Sequence, residues 1–73
     1  MTLDKLSKGE SAIITAIHAN RELKNRFNSF GLVKGARISV EERSLGKKTI
    51  RVRINKTRIA LRSAEAEKIE VKA

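Results

Sequence analysis

The stretch Thr49–Arg62 reads Thr-Ile-Arg-Val-Arg-Ile-Asn-Lys-Thr-Arg-Ile-Ala-Leu-Arg, and it leaves the backbone little choice. Apolar and polar residues alternate through Ile50, Val52 and Ile54 and again through Ile59 and Leu61, the period of strands with one face turned to a core. A two-residue turn at Asn55-Lys56 opposes Ile54 to Thr57, Val52 to Ile59 and Ile50 to Leu61. All six then share one face, so the register that closes the hairpin also gathers its apolar side chains. Asparagine tolerates the positive φ of such a turn, while Lys56 is a poorer second residue than glycine. The other face pairs Arg53 with Arg58, Arg51 with Ala60 and Thr49 with Arg62. Like charges directly opposite each other are unfavourable.

A second stretch, Asn20 to Gly35, reads as a short helix with a start, a face and a stop. Asn20 is a good N-cap, because its side-chain oxygen can accept from a free first-turn amide. Leu23, Phe27 and Phe30 recur at helical spacing on one face, with Arg21, Lys24, Asn25 and Asn28 turned to water. Gly31 stands where a helix ends on a residue at positive φ, and Leu32 can fold back on the last turn. Phe27 and Phe30 are the only aromatic residues. They either plug the core or form a contact surface, with Leu32 beside them.

The remaining segments are short. Thr2 can cap a single turn holding Leu3 and Leu6, and Lys8-Gly9-Glu10 is a turn. Ala12 to Ala19 is a strand in which Ile14 and Ile17 share a face only if a bulge intervenes. Lys34-Gly35 is a turn, and Ala36 to Arg43 is a strand. Ser44-Leu45-Gly46-Lys47 connects it to Thr49–Ile54, and Thr57 to Leu61 is the fourth strand. Ser63 can cap a helical turn through Glu67, and Ile69 to Val71 is a last strand. These segments predict a mainly β chain, a small antiparallel barrel of about five strands with one short inserted helix.

A chain of 73 residues is expected to form one domain, 1–73, with a thin core. No apolar run approaches bilayer length, and no signal-peptide pattern opens the sequence, so a cytoplasmic location is expected. Cysteine is absent, which leaves no thiolate for a disulfide, a metal or a nucleophile. His18 is the single histidine, and with acids scattered singly it makes a poor transition-metal site. Glu41 and Glu42, adjacent in a strand, are expected on opposite faces and therefore not as an acid/base couple. Gly31-x-x-x-Gly35 lacks the length and Lys-Ser/Thr of a phosphate loop. Neither an enzyme nor a cofactor site is expected.

Charge is uneven. Arg43, Lys47, Lys48, Arg51, Arg53, Lys56, Arg58 and Arg62 fall in one run without an acid, +8 of a net +9, which leaves +1 for the rest. Such a run is either an anion-binding face or a solvated strand face that keeps an edge soluble. The Arg53–Arg58 pairing favours binding, since an anion would relieve it.

Phe30-Gly31-Leu32-Val33-Lys34-Gly35 resembles the Leu-Gly-Leu/Met-x-Pro-Gly segment that ends a short helix in the FeoA family, accessory proteins of bacterial ferrous-iron transport. Leu3 to Gly9, then Ala12, Ile14 and Ile17, are similar to the family's opening Leu-x-x-Leu-x-x-Gly-x-x-Ala-x-Ile-x-x-Ile. Ser44-Leu45-Gly46 resembles part of its Pro-Leu-Gly-Asp-Pro turn. Ile59-Ala60-Leu61-Arg62, Glu65-Ala66 and Ile69 to Val71 resemble its closing Leu-Ala-Leu-Arg-x-x-Glu-Ala-x-x-Ile-x-Val. The departures are Phe30 for leucine, Lys34 for proline and Lys47-Lys48 for Asp-Pro, the last a reversal of charge.

The resemblance implies an SH3-like barrel in the cytoplasm, without a metal of its own, that supports a FeoB-type ferrous iron transporter carrying a GTP-binding domain. The same barrel occurs at the C-terminus of metal-dependent repressors, but no helix-turn-helix is read here. The candidate partner-binding residues are Phe27, Phe30, Leu32, Arg51, Arg53, Arg58 and Arg62. The alternative is a small basic nucleic-acid-binding barrel. Nucleic acid is the less favoured partner, because no aromatic residue lies on the basic strands to stack a base. An anionic membrane surface shares the charge argument and is compatible with the transporter.

Overall fold

The computed structural model describes residues 1–44, 46 and 48–73. A 3₁₀ turn at Leu3–Lys5 leads into β1 (Ser11–Ile17), α1 (Arg21–Ser29), β2 (Arg37–Arg43), β3 (Thr49–Ile54), β4 (Thr57–Arg62), α2 (Ser63–Ala66) and β5 (Ile69–Lys72). The five strands form one antiparallel sheet in the order β4-β3-β2-β1-β5.

The terminal hairpin closes in the expected register. Ile54 opposes Thr57, Val52 opposes Ile59, Ile50 opposes Leu61, and Arg53 faces Arg58. Ile50, Val52, Ile54 and Leu61 are buried, while Ile59 packs half-buried at their edge. The turn differs from expectation in one respect. Asn55 is the single non-glycine residue at positive φ among the described residues, at 56°. Lys56 is therefore outside the left-handed region and the turn lacks the second positive φ of a I′ turn, which explains why lysine is acceptable there.

Helix α1 starts and stops as its sequence dictates. The Asn20 side-chain oxygen accepts from the Leu23 amide at 2.8 Å. At the other end the Gly31 amide donates to Asn28 at 3.0 Å and the Leu32 amide to Phe27 at 2.9 Å. With Gly31 at φ 85°, this pair of bonds is a Schellman end. It swings Leu32 into the core beside Phe27, while Leu23 and Phe30 pack partly buried against it.

The bulge anticipated in β1 is present. Pairing with β5 slips between Ile14 and Ala16, which lets Ile14 enter the core while Ile17 packs against it. A second slip, between Val40 and Glu42 in β2, was not legible in the sequence. Two caps also differ. The Thr2 hydroxyl donates to the Asp4 carboxylate instead of capping the first turn. Ser63 is the first residue of α2, and Glu65 reaches back to accept from the Arg62 amide at 3.0 Å. In the β2–β3 connection the Ser44 hydroxyl accepts from the amides of Lys48 and Thr49, both at 3.1 Å; the expected turn residues Leu45 and Lys47 lie outside the described residues.

Candidate functional site

The outer face of β2, β3 and β4 carries Arg51, Arg53, Arg58 and Arg62, all exposed. Alternation places them there, since their neighbours Ile50, Val52 and Leu61 are committed to the core. Arg53 and Arg58 stand opposite each other, and their repulsion is relieved from within the chain. Arg58 Nε lies 3.1 Å from Glu41 Oε1 as an ion pair, and Glu41 Oε2 lies 3.9 Å from Arg53 Nη1. Arg53 Nε also donates to the Asn55 carbonyl at 3.1 Å.

The β2 bulge makes this possible. The slip at Val40/Glu42 breaks strict alternation, so Glu41 and Glu42 line the same groove instead of opposite faces. That corrects the expectation from adjacency. The groove has a volume of about 520 Å³ and is bordered by Lys8, Ser39, Arg51, Arg53 and Arg58 as well. Lys8 reaches it because the Gly9 amide bonds the Val40 carbonyl at 2.8 Å, and Lys8 Nζ lies 3.3 Å from Glu42. Four cations thus face two carboxylates. Arg51 and Arg62 have no carboxylate partner among the described residues. Each exposed pair contributes at most about 1 kcal/mol, so the face is electrostatically available to an anion.

The helix-side candidates divide differently. Phe27 and Leu32, considered as contact residues, are 1% and 0% exposed. Their side chains are core and offer a partner no surface, because Phe27 is on the buried face of α1 and the Schellman end turns Leu32 inward beside it. Phe30 is half-buried, and Val33 beyond it is 40% exposed. Sequence reasoning passed over Val33, whose signal was an apolar residue inside the Gly31–Gly35 loop. It also passed over Glu41 and Lys8. Lys8 sat beside a turn glycine, but the bulge that brings Glu41 to the face has no local signature.

His18 sits past the end of β1, exposed, with its Nε2 against Glu70 Oε2 of β5. The histidine hydrogen bond, reinforced by its charge, holds the Glu70 carboxyl below the usual carboxylate range, with desolvation weakly opposing. Among the described residues no group of three or more histidine, aspartate or glutamate side chains could hold a metal. None of the described helices is long and apolar enough to cross a membrane.

A five-stranded antiparallel sheet of this size, closed by one inserted helix and a short second one, defines the class: a small SH3-like barrel. The chain belongs to the FeoA family, whose FeoA domain matches residues 1–73. A relative from Campylobacter jejuni, described as a candidate Fe(2+) transport protein A, is 44% identical over 71 residues, covering 97% of this chain and 96% of its own. The solution structure of FeoA from Chlorobium tepidum superposes with a TM-score of 0.92 at 32% identity, over 97% of this chain and 68% of that one. The crystal structure of FeoA from Stenotrophomonas maltophilia, complexed with zinc, superposes at 0.85 with 32% identity, over 99% of this chain and 89% of that one. That protein is described as a prokaryotic SH3-domain protein and a candidate activating factor of ferrous iron transport. The family ties this chain to ferrous iron transport.

Proposed function

We propose that this chain is a cytoplasmic, non-enzymatic accessory protein of bacterial ferrous iron transport that acts by binding a FeoB-type transporter carrying a cytoplasmic GTP-binding domain. The FeoA match over residues 1–73 carries the reading. The outer face supports a binding role, since Arg51 and Arg62 lack acidic partners among the described residues. The corner formed by half-buried Phe30 and exposed Val33 is a second candidate contact. An anionic membrane surface beside the transporter would add to the attraction.

The test is a pull-down from a bacterial membrane extract with the tagged chain, the bound proteins being identified. Capture of the transporter is expected, and its absence at low and physiological salt would defeat the reading. A gel shift at physiological salt separates the nucleic-acid alternative. A sequence-independent shift there, with no transporter captured, would replace the proposal by that alternative.

A further inference from the structure

We propose that the open edge of β4 takes up an extended acidic segment of a protein partner as an additional strand. The hydrogen-bond phase of the sheet leads to this edge. Val40 donates its amide to Glu10 at 2.9 Å and accepts from Gly9 at 2.8 Å, so its polar groups face β1. Its neighbour Ser39 therefore faces β3, where it stands opposite Arg53. Arg53 being turned to β2, its neighbours Val52 and Ile54 serve β4 through Ile59 and Thr57. On β4 the groups left over are the N–H and C=O of Arg58 and Ala60, which point away from β3. Arg62 confirms the phase, because its amide also points outward and is taken by Glu65 Oε1. The sheet order ends at β4, and Arg58 and Ala60 are exposed.

The side chains at this edge specify the occupant. Arg58, Ala60 and Arg62 stand on the outer face, with Arg51 and Arg53 behind them on β3. Ala60 is small and borders a groove with Glu42, Ser44, Thr49 and Arg51, the Glu42 carboxylate being paired with Lys8, which leaves room between the two β4 arginines. Ile59, half-buried, points to the other side. A strand added here places alternate side chains beside the arginines and the intervening ones beside Ile59. The fitting ligand alternates Asp or Glu with apolar residues.

A second copy fits badly. Antiparallel β4–β4 pairing about Ala60 would oppose Arg58 to Arg62, and parallel pairing in register would set each arginine beside its own copy, between chains that each carry +9. Basic edge residues ordinarily serve to prevent such self-pairing; here the same charges select an acidic strand. The inference rests on the proposed function only in taking the partner to be a protein.

The probe is a capped peptide of three Glu-Val repeats, compared with a peptide of the same composition carrying its glutamates in one block. Titration followed by NMR at physiological salt is expected to show the alternating peptide binding about tenfold tighter, with slowed amide exchange at Arg58 and Ala60. Ala60→Pro removes an outward N–H without breaking the β3–β4 ladder, so it should abolish that preference while the core resonances persist. Should that variant not fold, N-methylation of the peptide along its pairing edge replaces it and should have the same effect, while N-methylation on its far edge should not. Equal affinity of the two peptides, unprotected edge amides, or a β4-paired dimer in sedimentation would each overturn the inference. Transporter captured equally by the native chain and Ala60→Pro would defeat the edge and leave the proposed function standing. Edge-specific peptide binding with no transporter captured would do the reverse.

Discussion

Arg58 of β4 forms an ion pair with Glu41 of β2, its Nε 3.1 Å from Oε1, across the intervening strand β3. One carboxylate so serves two arginines that the hairpin register forces together. Glu41→Gln should therefore cost up to about 1 kcal/mol, since the groups are partly exposed and the repulsion returns only partly. Urea denaturation should show the loss at low salt and a smaller one at high salt. A loss that ignores salt would mean that Glu41 acts through packing. The same geometry raises the cost of reversing Arg53 and Arg58 to glutamate, because Glu41 would then face two further carboxylates. Their replacement by glutamine is the cleaner way to probe the face.

Gly31→Ala should destabilise the protein by about 1 kcal/mol or more. A Cβ there would meet Ile54 Cγ2 at 3.7 Å, an ordinary contact, so the penalty comes from φ 85° and not from crowding. A fall in melting temperature of about 4–8 °C is expected for each kcal/mol in so small a domain. Gly31→Asn should lose less, because asparagine tolerates the left-handed region better. Equal losses would locate the cost in sterics.

Lys56→Gly should lower stability by about 0.4–1 kcal/mol, by enlarging the freedom of the unfolded chain. A I′ turn would predict a gain, because it needs positive φ at both central residues. Here only Asn55 has it. Chemical denaturation of the single variant decides between the two turns.

His18→Ala should raise the Glu70 carboxyl towards the ordinary carboxylate value, as seen by carboxyl NMR titration. Glu70 is held low chiefly by the hydrogen bond from His18. A carboxylate with a lowered native pKa stabilises the fold above its unfolded value, and that contribution disappears as the pH falls through the lowered one. The native protein should show this acid-side slope, and the variant should lose Glu70's share of it. An unmoved Glu70 titration would refute the pairing.

Much of the architecture was written locally. Alternation in Ile50–Ile54 and Ile59–Leu61 set the hairpin register, because a slip by one residue would turn every apolar side chain to water. Asn20 and Gly31-Leu32 bounded α1 through bonds made within a few residues of chain. Even the β1 bulge was visible, as an odd spacing between Ile14 and Ile17. Local chemistry suffices for such features because the interacting groups are neighbours in sequence.

The face was decided elsewhere. The sequence by itself determined that arginines at 51, 53, 58 and 62 share the outer side of a basic hairpin, and that a short helix carries both phenylalanines. Tertiary structure alone decided that Phe27 and Leu32 are core and that Glu41 is placed against both Arg53 and Arg58. It also decided that β4 ends the sheet. The β2 bulge and the strand order depend on how distant segments pack, and no short window of sequence encodes that competition.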